Sequence, residues 1–335
     1  MTALCREILC ALAAECGRQS LLERLSDPFW FQSLGCVVGF DWHSSGLTTT
    51  LTGALKEGLK GLEGELGLSI AGGKGGVSRK TPAQIEASAA VLGVEPAPLV
   101  YSSRMSAKVD NTAVQDGYQL YHHVFVFDGN GSWAVIQQGM NGETRKARRY
   151  HWLGSSVSDF VVEPHAAVCC DARQATLNMV ALESGGARRT TSELARERPE
   201  KVLAEFRKVQ SLHLPARHHI VPADMDLNRL YRTLLSTYER QPDNFEALLG
   251  IKGVGPKTIR ALSLVSELIY GESPSFRDPA RFSFAHGGKD GIPFPVDRRI
   301  YDKTVEAMRR AIGSAKVGPR DRMEALRRLA AYYEP

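Results

Sequence analysis

Two groups of residues in this 335-residue chain have the types and spacing for chemistry on a phosphodiester. The first is Asp41-x-His43 together with Lys108, Asp110, His122 and His123. Carboxylates hold Mg²⁺ or Mn²⁺, the metal neutralises the scissile phosphate, and a histidine or a metal-bound water supplies the nucleophile. Asp41 and His43 fall on one side of an extended strand end, so Asp41, His43 and Asp110 are the expected metal ligands. His122 or His123 would join them from a neighbouring strand, with Lys108 completing the catalytic set. No HExxH, DxD or Asp…Glu-x-Lys pattern is intact, although Asp128 and Gln137 have the hairpin layout of nucleases that carry Glu-x-Lys. Adjacent histidines are also what one core and one surface residue would give.

The second group is Lys252-Gly253-Val254-Gly255-Pro256-Lys257-Thr258. Two glycines let the backbone turn sharply and approach a ligand. Pro256 suits a first helical position. The N–H groups at that helix start and its dipole favour a phosphate oxygen, and Lys252 and Lys257 add positive charge beside it.

A helical pattern over Asn244–Leu249 leads into this turn and a second helix leaves it. The stretch resembles a helix-hairpin-helix, a DNA-binding element that does not read sequence, placed at 244–270. The alternative is an ordinary helical corner closed by glycine.

The other elements follow from periodicity. Leu4, Ile8, Leu12, Leu21, Leu22 and Leu25 repeat at helical spacing, and Ser26-Asp27-Pro28 stops that helix. Leu34–Phe40 is a short apolar run expected as a buried strand that delivers Asp41 and His43. A helix over about 48–66 and a strand near 68–71 precede Gly72-Gly73-Lys74-Gly75-Gly76, which lacks a Walker ending and reads as a connector or a phosphate nest. Residues 99–116 read as helical, bringing Arg104, Lys108 and Asp110 near one another. Tyr118–Asp128 and Ser132–Gln138 read as strands around a Gly129-Asn130-Gly131 turn. Alternation sends His122, Val124 and Val126 to one face and Tyr121, His123, Phe125 and Phe127 to the other. Arg145–Trp152 is basic and aromatic, which suits phosphate contact by Arg148 and Arg149 with base stacking, or a solvated strand edge. Residues 170–200 look like a linker. Helices are expected over about 193–210, 224–239, 244–250, 256–270, 298–312 and 319–333, with a long loop at 271–296.

Composition sets limits. The chain is 43% hydrophobic and 24% charged, as in globular proteins with sizeable cores. No apolar run approaches the ~20 residues of a membrane span. The first residues read as an amphipathic helix, not a signal peptide. Six cysteines show no CxxC pair, so a reducing, cytoplasmic and nucleoid-associated setting is expected. Residues 1–190 hold 17 Lys/Arg against 18 Asp/Glu, whereas 191–335 hold 25 against 19. The basic half is the half with the hairpin, which fits a nucleic-acid footprint, although solvated helices alone would give so modest an excess.

Two wider resemblances rest on quoted residues. GFDWHSSG, GGKGG, YSSRMSAKVDNTAVQDGYQLYHH, QQGMN, RRYHWL and FAHGGKDGIPFPVDR resemble a prokaryotic domain-of-unknown-function family. That resemblance implies a Pro-Leu-His-Gly-Gly segment ahead of the present start. Leu249–Thr258 followed by Pro295-Val296-Asp297 resembles the hairpin-aspartate region of base-excision DNA glycosylases. It implies Lys257 as a nucleophile and Asp297 as its support. Their 40-residue separation is about twice that family's, because of the long loop, and Asp297 could equally cap a helix.

The expected fold is an α+β N-terminal domain with a small, mostly antiparallel sheet (1–180), a linker (181–192) and an all-α helix-hairpin-helix domain (193–335). The expected function is metal-dependent DNA cleavage on single-stranded or distorted DNA, using Mg²⁺ or Mn²⁺. Lys252, Gly253, Val254, Gly255, Lys257, Thr258, Arg104, Arg148 and Arg149 would hold DNA without reading sequence. A DNA-binding repair accessory without chemistry and a DNA glycosylase or abasic lyase using Lys257 and Asp297 are the alternatives. No membrane partner is expected, and a homodimer is compatible with the sequence.

Overall fold

A computed structural model describes residues 1–40, 46–210, 226–282 and 298–333. In chain order the helices are α1 (Thr2–Ser26), α2 (Pro28–Val37), α3 (Leu47–Leu59), α4 (Glu63–Leu66), α5 (Thr81–Leu92), α6 (Pro96–Lys108), α7 (Gly185–Arg196), α8 (Pro199–Gln210), α9 (Leu227–Arg240), α10 (Phe245–Gly250), α11 (Pro256–Tyr270), α12 (Arg298–Ser314) and α13 (Pro319–Tyr333). The strands are β1 (Leu68–Lys74), β2 (Val114–Gln115), β3 (Tyr118–Asp128), β4 (Trp133–Asn141), β5 (Ala147–Leu153), β6 (Ala167–Cys169) and β7 (Leu177–Asn178).

An antiparallel sheet of order β1-β3-β4-β5-β6 forms the middle layer of this α+β fold. Alternation along β3 divides two cores. Val124 and Val126 pack with α1, α2, α3, α12 and α13. Phe125 and Phe127 pack on the opposite side with α5 to α11. Each core side chain buried here is worth about 1.5–3 kcal/mol. Both cores therefore run across the expected 181–192 boundary. α7 to α11 cover one face, while α12 and α13 return to the other beside α1 and α2.

Two expectations are corrected. Leu34–Phe40 is not a strand, because Pro28–Val37 is a helix. Asp27 starts it by accepting hydrogen bonds from Phe29 N (2.8 Å) and Trp30 N (3.0 Å), with Pro28 in the first turn. An all-apolar run does not distinguish a buried helix from a buried strand. The stretch read as a linker is also structured. Gly185-Gly186 opens α7, and buried Arg188 donates to the carbonyls of Met179 and Ala181, both at 2.7 Å.

Within the glycine-rich segment, close packing accounts for Gly72, whereas Gly75 and Gly76 stand in open space. Gly72 lies inside β1 at φ +96°, where a Cβ would meet the His123 carbonyl oxygen at 2.2 Å. Its N–H donates to Gln84 Oε1 at 2.8 Å, and Lys56 Nζ donates to its carbonyl at 2.8 Å. Among the described residues no helix is long and apolar enough to cross a membrane.

Candidate nucleic-acid interface

Local sequence shapes the corner between α10 and α11. Asn244 caps α10 by accepting from Ala247 N at 2.8 Å. Gly253 takes φ +98°, in the left-handed region that favours glycine. Gly255 then precedes Pro256 in extended backbone, and no side chain caps the start of α11. The N–H groups of Lys257 and Thr258 are thus left for an outside acceptor. Ile251 and Val254 are buried beneath the turn, whereas Lys252, Gly253 and Lys257 are exposed. Thr258 is only 6% exposed, so its side chain is not presented at the surface.

Three contacts fasten this corner to the end of α6 and to β2. Lys108 Nζ, at the end of α6, donates to the Val254 carbonyl at 2.5 Å. Gln115 Nε2 donates to the Pro256 carbonyl at 2.9 Å, and Arg260 Nε donates to Gln115 Oε1 at 2.7 Å. One turn before Lys108, exposed Arg104 shares the face of α6 whose Tyr101 hydroxyl bonds Glu246 of α10. Across the turn, exposed Arg229 of α9 lines a 340 Å³ cavity with Asp226, Thr233, Gly255, Lys257 and Thr258. Arg104, Arg229, Lys252 and Lys257 have no ion-pair partner among the described residues. Sequence reading missed Arg229 and Gln115; the Asp226 cap that starts α9 is the signal that places Arg229 in a first helical turn.

Of the expected cleavage residues, Asp110, His122, His123 and Lys108 lie among the described residues and do not converge. Asp41 and His43 lie outside the described residues, as does Asp297. Asp110 is fully buried and accepts from Gln137 Nε2 (2.6 Å), Trp152 Nε1 (2.9 Å) and His165 Nε2 (2.5 Å). Both of its oxygens are occupied, so it offers no open metal position. His123 is hydrogen-bonded to Ser103 Oγ and Gln137 Oε1, each at 2.9 Å, on the same side of the sheet as Asp110. His122 points the other way, to Thr52 Oγ1 at 2.9 Å. The sheet therefore separates His122 from Asp110, and Lys108 serves the α10–α11 corner. Burial, then the neighbouring His123 and Lys74, depress His122 to about 4. Burial likewise holds His123 below its ordinary value. Among the described residues no group of three His, Cys, Asp or Glu could hold a metal ion.

Arg148 and Arg149 are corrected as DNA contacts. β5 is an interior strand, and both guanidinium groups are buried. Arg148 bridges Asp116 (2.8 Å) and Asp278 (2.7 Å) and lies 4.5 Å from the Tyr118 ring centroid. Arg149 donates to His151 Nε2 (2.7 Å) and Gln32 Oε1 (3.0 Å) over the Phe31 ring. A basic, aromatic strand looks exposed in sequence because its acids, Asp116 and Asp278, come from distant segments. Asp128 is also structural, accepting from Asn130 N and Ser132 N at 2.9 Å to close the β3–β4 turn.

The fold and this corner define an α+β protein with a basic, uncapped helix start on its helical side. The chain belongs to the family described as "Protein of unknown function (DUF763)", which matches residues 1–296. No curated protein and no solved structure matches it.

Proposed function

We propose that the protein binds DNA through its phosphate backbone, without reading sequence, using 244–270 as a helix-hairpin-helix. The observation that carries this reading is the uncapped start of α11 with exposed Lys252 and Lys257 beside it. A phosphate oxygen there would accept the amides of Lys257 and Thr258 and sit in the positive end of the helix dipole. Arg104 and Arg229 extend the positive field to either side of the turn. Repair or processing of DNA is the setting this grip suits.

Metal-dependent cleavage has less support than binding, because both Asp110 oxygens are occupied by Gln137, Trp152 and His165. The Lys257 lyase reading is favoured by one observation, the 340 Å³ cavity that Lys257 shares with Asp226. One gel assay on labelled single-stranded, bubble and abasic DNA, with Mg²⁺, Mn²⁺ or EDTA, separates these readings. Retarded bands without product support binding alone. Metal-dependent product lost in Asp41→Ala supports the nuclease. EDTA-resistant cutting with a borohydride-trapped adduct lost in Lys257→Ala supports the lyase. Absence of retardation on every substrate contradicts the proposal.

A further inference from the structure

The seam beneath the α10–α11 corner contains two cations, Arg260 and Lys108, with no acid paired to them among the described residues. Arg260 lies one turn into α11 and is only 7% exposed. Its Nε is held by Gln115 Oε1 at 2.7 Å, and its terminal nitrogens, which are not sealed from solvent, have no hydrogen-bond partner among the described residues. No carboxylate pairs with it among the described residues, and burial alone depresses its pKa. Lys108 repeats the pattern at the end of α6, with one proton given to the Val254 carbonyl, no carboxylate partner among the described residues and a pKa lowered by burial alone. Buried charges are ordinarily paired. Arg148 in this same protein shows the ordinary solution, with two aspartates. The Arg260 guanidinium is thus fixed on one side by Gln115 and has its other nitrogens free for an anion from outside the described residues.

Direction and spacing point to the missing partner. Side chains on a helix lean toward its N-terminus, so Arg260 is aimed back along α11 toward the open amides of Lys257 and Thr258. One helical turn is ~5.4 Å. Phosphates along one DNA strand recur every ~3.4 Å of axis, so a turn spans one to two of them. We infer that this seam is a second phosphate-binding point, in which the Arg260 fork, oriented by Gln115 and assisted by Lys108, takes two oxygens of a phosphate near the one at the turn. This inference rests on the DNA-binding reading for the source of that phosphate, but not for the site itself. The chemistry recognised is a phosphate oxyanion, whether in a DNA strand or free.

The test uses the full chain as wild type, Arg260→Gln and Lys257→Ala. Affinity for a fluorescein-labelled single strand and a duplex is read by anisotropy across a salt series, and melting temperature is read with and without inorganic phosphate. Arg260→Gln is expected to keep or raise the melting temperature, since it removes an unpaired charge. It should lose about tenfold in DNA affinity and about one from the salt slope. Phosphate should raise the melting temperature of the wild type more than that of Arg260→Gln. Wild-type affinity and slope in Arg260→Gln, while Lys257→Ala weakens binding, would overturn the inference. If the wild type binds no DNA, the parent reading fails separately. Phosphate stabilisation lost in Arg260→Gln would then support the seam with free phosphate as its ligand, and equal stabilisation in both would overturn it. Should Arg260→Gln not fold, Arg260→Lys replaces it. That variant keeps the charge without the fork, and full wild-type affinity in it contradicts the assignment.

Discussion

Lys108 Nζ lies 2.5 Å from the carbonyl oxygen of Val254, tying the end of α6 to the middle of the Gly253–Gly255 turn. Val254 is itself buried, so the turn is held from below by its side chain and by a cation on its backbone. Lys108→Met keeps most of the stem and removes that bond. Faster amide hydrogen exchange over 251–258 is expected, with a several-fold loss of DNA affinity. Unchanged exchange would show that the turn holds its shape without Lys108.

Lys257 is exposed and makes no ion pair among the described residues. Lys257→Ala should therefore leave stability within about 0.5 kcal/mol of wild type. DNA affinity should fall at every sequence tested, and the salt slope should drop by about one. Denaturant melts and anisotropy titrations on two unrelated oligonucleotides check both halves. A loss confined to one sequence would mean base readout instead of a backbone grip.

Arg148 predicts the opposite pattern. It is fully buried between Asp116 and Asp278, and removing one member of such a group leaves uncompensated charge. Arg148→Ala should cost about 3–5 kcal/mol in a urea titration. Under conditions where the variant remains folded, its DNA salt slope should match wild type. A reduced slope with full stability would return Arg148 to the DNA interface.

Acid sensitivity should come partly from His122. Its pKa falls from 6.5 to about 4 in the folded protein, so folding releases a proton between those values. The unfolded chain binds more protons there, and stability falls as pH drops from about 6.5 toward 4. The full effect is about 3 kcal/mol. His123 and His151, also depressed by burial, act in the same direction. Urea midpoints measured from pH 7 to 4.5 should fall less steeply for His122→Asn than for wild type. Parallel slopes would show that His122 titrates normally.

Local signals made the helical corner legible. Asn244, the paired glycines and Pro256 each act within a few residues, and α9, α10 and α11 fall close to their expected spans. The Gly129-Asn130-Gly131 turn and the alternation along β3 were equally readable. What sequence could not show depends on distant partners. Asp110 looked available for a metal until Gln137, Trp152 and His165 closed around it. Arg148 looked exposed until Asp278 arrived from 130 positions away. Arg260 drew no notice because an arginine in an amphipathic helix usually faces solvent. Its meaning comes from Gln115, contributed by β2.

The most direct test of the central claim is the salt dependence of DNA binding by the intact chain, measured in EDTA on single-stranded and duplex oligonucleotides of unrelated sequence. A backbone grip predicts similar affinities across sequences and a linear fall of log affinity with log salt. That slope should be reduced by about one in Lys257→Ala. Binding too weak to measure at low salt, or affinity that is independent of salt, would contradict it.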